Sequence, residues 1–179
     1  MKTRLALLAL LLLSFVAIPT APAATPPANA PVYVITVHGQ IEGALLYVLR
    51  RGLAEATAQQ AAAVILTMDT PGGTLAAASD IVRTIQASPI PVYTYVEKDA
   101  FSAGAIIALA TKKIYMAPGS VIGDALPIMM SPFGGVQEMS GGIEEKAVSA
   151  VSALIRAAAQ DAGHDPKKEE KMVRRENEF

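Results

Sequence analysis

Apolar residues in this chain form short runs that alternate with segments of helical spacing. Four runs rich in β-branched and aromatic residues are predicted strands, and they span residues 32–37, 62–68, 91–97 and 113–116. Three segments with the apolar spacing or the small-residue content of helices span residues 44–59, 75–87 and 103–111. Strands that alternate with helices predict βαβ crossovers, so the expected fold class is α/β with a mostly parallel sheet.

The apolar positions also predict which faces of these elements are buried. The first helix is expected to bury a set of residues that share one face, namely Leu45, Val48, Leu49 and Leu53. The second strand, residues 62–68, is apolar along its whole length. This pattern is typical of a strand that is buried on both faces of a parallel sheet.

The second half of the chain has a weaker pattern. Residues 121–142 are rich in Gly, Pro, Met and Ser and are predicted to form a mobile loop. Residues 143–161 are a predicted long helix, with Gly163 as its C-cap. Residues 167–179 are dense in charge, which predicts a solvated helix or a frayed tail.

Composition excludes several kinds of chemistry. The net charge is −1, so nothing favours a nucleic-acid partner. Cysteine is absent, which excludes disulfides, a thiol nucleophile and cysteine metal ligands. The two histidines, His38 and His164, lack the sequence context of a ligand pair, so we expect neither a metal nor a cofactor.

The first residues indicate export. A basic start precedes an apolar run over residues 5–18, and small-x-small patterns end at Ala23 and Ala30, as in secretory signal peptides. The run is shorter than the roughly 20 residues that a membrane span needs. We predict a signal peptide over residues 1–24, cleaved after Ala23 or Ala30, and a linker over residues 25–31. The alternative is an uncleaved anchor, and both interpretations place the rest of the chain across a membrane from the cytoplasm.

Two loops follow strands at the predicted carboxyl edge of the sheet, where α/β folds place their sites. One contains Gly72 and Gly73, and the other contains Ser102 at the start of the third helix. Backbone N–H groups at a helix start favour developing negative charge, as acyl transfer requires. Serine is also a common N-cap, and Pro-Gly-Gly is common in turns. The residues alone leave both interpretations open.

The order of three motifs resembles a known protease family. They are DTPGG at residues 69–73, FSAG at residues 101–104 and MAPGSVIG at residues 116–123, each after a predicted strand or helix in family-like spacing. This arrangement is similar to the NfeD-type membrane-associated serine proteases, which are relatives of signal peptide peptidase A and of the Clp protease subunit. The resemblance covers residues 32–173 and implies the Clp/crotonase-like spiral of βαβ units.

The resemblance also implies a set of catalytic residues. Ser102 corresponds to the nucleophile, and Gly72, Gly73 and Ala103 correspond to the backbone donors of an oxyanion hole. The base of the family is a lysine that opens a helix after a mobile loop, which corresponds to Lys146. Lysine acts as a base only in its neutral form, which burial in an apolar pocket favours.

Two features of this chain modify what the resemblance implies. The Clp subunit uses a histidine in the segment that is 122–127 here, and this segment has none, so a Ser-Lys dyad is favoured over a Ser-His-Asp triad. Without the resemblance, Lys98, Lys112 and Lys113 are further candidates for the base. Family members usually continue beyond this length, so we expect the protease domain over residues 32–179 to be C-terminally incomplete.

The resulting expectation is an exported or membrane-associated serine endopeptidase that acts as a homo-oligomer, most simply a dimer. By the resemblance, its substrates are apolar segments of membrane-associated proteins, including stomatin-like partners. One alternative is an inactive partner-binding module of the same fold. Another is a crotonase-type enzyme for acyl thioesters, against which the export signal argues because acyl-CoA is cytoplasmic.

Overall fold

The main sheet contains five parallel strands in the computed structural model, which describes residues 27, 29–131 and 133–173. The strands are β1 (Val32–His38), β2 (Ala63–Thr70), β3 (Val92–Phe101), β4 (Ile114–Met116) and β5 (Val121–Gly123). Their order is β1-β2-β3-β4, and β5 pairs with β3 beyond the end of β4. This confirms the α/β class with a mostly parallel sheet. The predicted signal peptide lies outside the described residues.

Four longer helices connect and flank these strands. They are α1 (Gly43–Ala58), α2 (Leu75–Gln86), α3 (Ala103–Leu109) and α4 (Gly141–Ala162). Each helix packs against the next in chain order, and α4 packs against both α3 and α2. Two further elements, α5 (Pro166–Glu169) and a 3-10 turn (Glu170–Val173), pack on α4. None of the helices in the described part combines the length and the apolarity needed to cross a bilayer.

The hydrophobic core lies between the helices and one face of the sheet. Along β2, Val64, Leu66 and Met68 are fully buried, whereas the residues between them are only partly buried. The prediction that β2 is buried on both faces is therefore wrong for its second face. On the same face of the sheet, Val34 of β1 and Tyr95 of β3 are exposed apolar side chains.

The buried face of α1 differs from the predicted one. The helix buries Leu46, Leu49, Leu53 and Ala56, and Val48 is 54% exposed. The first turns of α1 are apolar on almost every side, so spacing alone fits two neighbouring faces. Packing against the sheet and α2 selects the face that begins at Leu46.

The region over residues 121–142 contains more structure than predicted. Its first residues form β5, and β6 (Met129–Met130) pairs with β7 (Val136–Gln137) in an antiparallel hairpin. Strands of two or three residues are too short to show a period in the sequence, so a single mobile loop was the wrong prediction.

The predicted end of the long helix is confirmed. Gly163 adopts the left-handed conformation, and the Ala159 carbonyl accepts N–H bonds from Gly163 and His164. The segment that follows is not entirely solvated, because Val173 is fully buried and Arg156 pairs with Glu170 at 2.7 Å.

Candidate active site

A groove of about 670 Å³ opens at the carboxyl edge of the main sheet. Ser102, Ala103, Gly72 and Gly73 all line it. Most of the remaining lining side chains are apolar, and they are Pro71, Leu75, Ile106, Ala125, Leu126, Pro127, Ile128, Met130 and Val151. The groove therefore offers a largely apolar surface around a single serine hydroxyl.

Ser102 occupies the junction between β3 and α3 in a rare backbone conformation. Its φ is 51° and its ψ is −115°, a combination that residues other than glycine seldom adopt. The Ser102 N–H donates to the Gly123 carbonyl at 2.9 Å, and the Ser102 carbonyl accepts from the Ile106 N–H at 3.2 Å. Neighbouring elements therefore fix this turn on both sides, which is how strained conformations persist at functional sites.

The Ser102 hydroxyl does not cap α3. The residue stands at the N-cap position, but its side chain makes no capping hydrogen bond. The ordinary-cap interpretation that the sequence left open therefore does not account for a serine here. The side chain is only partly buried and lines the groove.

Gly72 lies directly against Ser102. A Cβ placed on Gly72 would come within 2.6 Å of the Ser102 Cβ and 3.2 Å of the Ser102 Oγ. Gly72 also has a φ of +101°, which disfavours any side chain. The two loops that the sequence assigns to one edge of the sheet are thus in contact, and the contact requires glycine.

The neighbouring Gly73 is held by Ile41. The Ile41 N–H donates to the Gly72 carbonyl at 2.8 Å, and the Ile41 carbonyl accepts from the Thr74 N–H at 3.0 Å. Ile41 and Gly73 form a parallel bridge, and a Cβ on Gly73 would lie 2.0 Å from the Ile41 carbonyl oxygen. The backbone of the glycine loop is therefore fixed by a segment that follows β1.

Thr70 supports this loop from the core, although sequence reasoning did not single it out. It is fully buried, its hydroxyl donates to the Gly39 carbonyl at 2.6 Å, and the same oxygen accepts from the Gly72 N–H at 3.1 Å. A Cβ on Gly104 would lie 2.6 Å from the Thr70 Cγ2, so α3 packs closely on this side chain. The alternation of Val64, Leu66 and Met68 in the sequence indicates that residue 70 lies on the same inward face, but it does not indicate the hydrogen-bond partners of its hydroxyl.

The predicted oxyanion donors are not equivalent in this structure. The Gly72 N–H is engaged by the Thr70 hydroxyl. Gly73 and Ala103 line the groove together with Ser102. The donor roles of all three remain predictions.

Lys146 lies outside the set of residues that line the groove. It is an exposed residue of α4, five positions before Val151, which does line the groove. Five residues of an α-helix correspond to about 7.5 Å of rise and about 140° of rotation. The structure therefore brings Ser102 together with the glycine loop, whereas Lys146 lies on an exposed part of α4 outside the groove lining.

The other candidate bases also lie outside the groove lining. Lys98 is 3.9 Å from the Asp69 carboxylate and mostly exposed, and Lys112 and Lys113 follow α3 at the opposite end of that helix. Their positions give no alternative lysine beside Ser102.

Both histidines of the chain are engaged elsewhere. His38 contacts the Glu97 carboxylate, and His164 contacts the Thr111 carbonyl at 2.7 Å through its Nε2. Neither lines the groove, so the described residues place no histidine in the groove with Ser102. Across residues 29–131 and 133–173, no three His, Asp or Glu side chains are grouped so as to hold a metal ion.

Comparison with known proteins finds similarity to a membrane protein and to a membrane-bound protease. The model of the NfeD1b N-terminal domain matches residues 31–179. The membrane protein NfeD1b of Bacillus subtilis (strain 168) is 40% identical over 136 residues, 76% of this chain and 29% of that protein. The membrane-bound protease PH1510 of Pyrococcus horikoshii is 37% identical over 139 residues, 75% of this chain and 30% of that protein. The chain thus spans less than a third of the length of either curated relative.

Two similar solved structures are variants of the 1510-N membrane-bound stomatin-specific protease. A serine-to-alanine variant has a TM-score of 0.74 and is 34% identical. The match covers 84% of this chain and 73% of that variant's chain. A lysine-to-alanine variant in complex with a substrate peptide has a TM-score of 0.75 and is 35% identical. The match covers 84% of this chain and 69% of that variant's chain. The α/β fold of the Clp type that the resemblance implied is thereby confirmed. Since the family model matches most of its residues, the chain belongs to the family of NfeD1b N-terminal domains.

Proposed function

We propose that this chain is the protease domain of a serine endopeptidase, with Ser102 as the nucleophile. The observation that carries the proposal is the position of the Ser102 hydroxyl. It lines an apolar groove, it makes no capping hydrogen bond, and its backbone turn is fixed against Gly72. The similarity to a protease solved with a substrate peptide supports the same reaction class.

The proposed reaction is acyl transfer through a Ser-Lys dyad. The neutral amine of Lys146 accepts the Ser102 proton while Oγ bonds to the carbonyl carbon of the scissile peptide. The oxyanion accepts hydrogen bonds from the N–H groups of Gly73 and Ala103, and the leaving amine then takes the proton from Lys146. Water then attacks the acyl carbon and gives a proton to Lys146. The ester bond to Oγ breaks, and Ser102 regains its proton from Lys146.

This mechanism requires Lys146 to approach Ser102 when substrate binds. Catalytic contacts often tighten only in the complex, so the exposed position of Lys146 does not disqualify it. Ile143 is 52% exposed on the same turns of α4 and Ala147 is half-buried. Their movement with Lys146 would supply the apolar surroundings that favour a neutral amine.

The apolar groove and the relatives suggest the substrate and the setting. We propose that an extended, apolar peptide segment lies along the groove beside Gly73, in the manner of an added strand. The solved neighbour is named as specific for stomatin, and we propose a stomatin-like membrane protein as substrate here as well. We also propose that the chain is exported through the segment 1–24, that it associates with a membrane and that it forms a dimer.

A second candidate is a peptide-binding module without catalysis. The exposed position of Lys146, outside the groove lining, is the observation that favours it. Such a module would keep the apolar groove and bind the same peptides. The two candidates differ in whether Ser102 reacts.

Peptide hydrolysis by the purified full chain separates the candidates. A fluorogenic peptide with apolar residues around the reporter bond should be cleaved by the wild type and by Ser149→Ala, a control at an exposed serine of α4. Ser102→Ala should bind the peptide without cleaving it. Binding without cleavage by the wild type would instead support the binding module.

A further inference from the structure

Asp124 follows the strand that pairs with the end of β3, just before the proposed nucleophile, and lines the same groove. In the parallel pairing of β3 and β5, Phe101 is opposite Gly123. These are the last residues of the two strands; Ser102 directly follows β3 and Asp124 directly follows β5, and both line the groove. The end of this pairing and the bond from the Ser102 N–H to the Gly123 carbonyl therefore bring a carboxylate-bearing residue to the serine's side of the groove, at a position to which the sequence analysis gave no role.

The backbone of Asp124 is fixed in a conformation that few residues tolerate. Its φ is +49°, and Asp is among the residues that adopt this region most readily. On one side the Gly123 carbonyl accepts the Ser102 N–H, and on the other the Ala125 N–H donates to the Met172 carbonyl at 3.0 Å. The 3-10 turn at the end of the described chain thus holds this part of the groove wall in place.

Asp124 is also the sole ionisable residue among the groove-lining residues described. The other polar side chains are the neutral ones of Gln40, Thr74 and Ser102, and the rest are apolar or glycine. A negative charge in such a groove favours a cationic group of the ligand and disfavours an anionic one. Asp124 is itself exposed, so water screens part of its charge and the expected preference is modest.

We propose that Asp124 is a specificity-determining residue that selects peptides with a lysine or arginine next to the scissile bond. This inference rests on the proposed protease function and adds a charge requirement to the apolar one. The preferred segment would be apolar with one cation beside the bond, as occurs where an apolar segment of a membrane protein meets its flanking basic residues.

A purely conformational role for Asp124 makes a different prediction. If the residue were present only because it tolerates a positive φ, asparagine would replace it without effect on charge preference. Asp124→Asn retains that tolerance and the side-chain shape but removes the charge. Asp124→Gly serves as a second variant, because glycine fits the same backbone conformation and also lacks the charge.

The experiment compares two fluorogenic peptides that differ only in lysine or norleucine next to the reporter bond. The wild type should cleave the lysine peptide with about fivefold higher kcat/KM, as expected for one partly exposed charge pair. The ratio should fall when salt is raised from about 0.05 M to about 0.5 M. In Asp124→Asn and Asp124→Gly the ratio should fall to about one, and in Asp80→Asn, a change at an exposed residue of α2, it should stay at the wild-type value.

Two results would overturn the proposal. One is equal cleavage of both peptides by the wild type, and the other is an unchanged ratio in a folded Asp124→Asn chain. Binding of the same peptides to Ser102→Ala, measured by fluorescence anisotropy, separates this proposal from the protease proposal. If the wild type binds the lysine peptide preferentially but cleaves neither peptide, the role of Asp124 stands and catalysis is rejected. If the wild type cleaves both peptides equally, catalysis stands and the role of Asp124 is rejected.

Discussion

Replacement of Thr70 by valine tests how the glycine loop is held against Ser102. Valine has nearly the same shape but lacks the hydroxyl that donates to the Gly39 carbonyl and accepts from the Gly72 N–H. Loss of the first bond costs about 1 kcal/mol, and a buried N–H without a partner costs about 1–3 kcal/mol. We therefore expect Thr70→Val to lower the free energy of unfolding by about 2–4 kcal/mol.

The measurement is urea denaturation of the purified full chain followed by circular dichroism. Thr70→Ser is the matched control, because it keeps the hydroxyl and removes only the Cγ2 methyl that packs near Gly104. That loss is worth about 1 kcal/mol. The valine variant should therefore be the less stable of the two, and its peptide hydrolysis should fall further because the loop beside Ser102 loses its support.

A valine variant within about 0.5 kcal/mol of the wild type would refute this reasoning. So would a serine variant that is less stable than the valine variant. Either result would mean that the methyl group, and not the hydroxyl, is what the site requires from Thr70.

Four further predictions concern other parts of the molecule. Gly104→Ala should lower the free energy of unfolding by about 1–3 kcal/mol, because its Cβ would lie 2.6 Å from the Thr70 Cγ2, and thermal denaturation would measure this. Ser102→Ala should change stability by less than about 0.5 kcal/mol in urea, because no capping bond is lost. In steady-state kinetics, Lys146→Ala should reduce kcat severely, and Lys146→Arg should not restore it because arginine stays protonated; near-full activity in Lys146→Ala would reject this base. Mass spectrometry of exported protein should find a chain that begins after residue 23 or 30, and an intact soluble N-terminus would contradict the signal peptide.

The parts of the fold that could be predicted have strong local signals. The apolar strand before DTPGG and the helix after it are both where the sequence places them, within two residues. Parallel strands joined by helices must bring their carboxyl ends to one edge, so the contact between Gly72 and Ser102 follows from topology. The sequence also predicts that β3 ends at Glu97, but the strand continues to Phe101 because residues 99–101 pair with β5, a strand that the sequence did not predict.

The parts that could not be predicted depend on contacts between distant residues. The Thr70 hydroxyl bonds to Gly39, 31 residues away, and no local pattern reports such a partner. The buried face of α1 depends on how the helix rotates against the sheet, because both candidate faces are apolar. The position of Lys146 outside the groove lining depends on the path of residues 121–142, whose strands are too short to give a period.

Covalent labelling of Ser102 by a fluorophosphonate tests the proposed nucleophile without any assumption about the natural substrate. The purified wild-type chain would be incubated with the probe, digested and mapped by mass spectrometry, with Ser102→Ala and Ser149→Ala in parallel. We predict an adduct on Ser102 in the wild type and in Ser149→Ala, and none in Ser102→Ala. Cleavage of peptides by a chain whose Ser102 stays unlabelled, or an adduct on another serine that persists in Ser102→Ala, would contradict it.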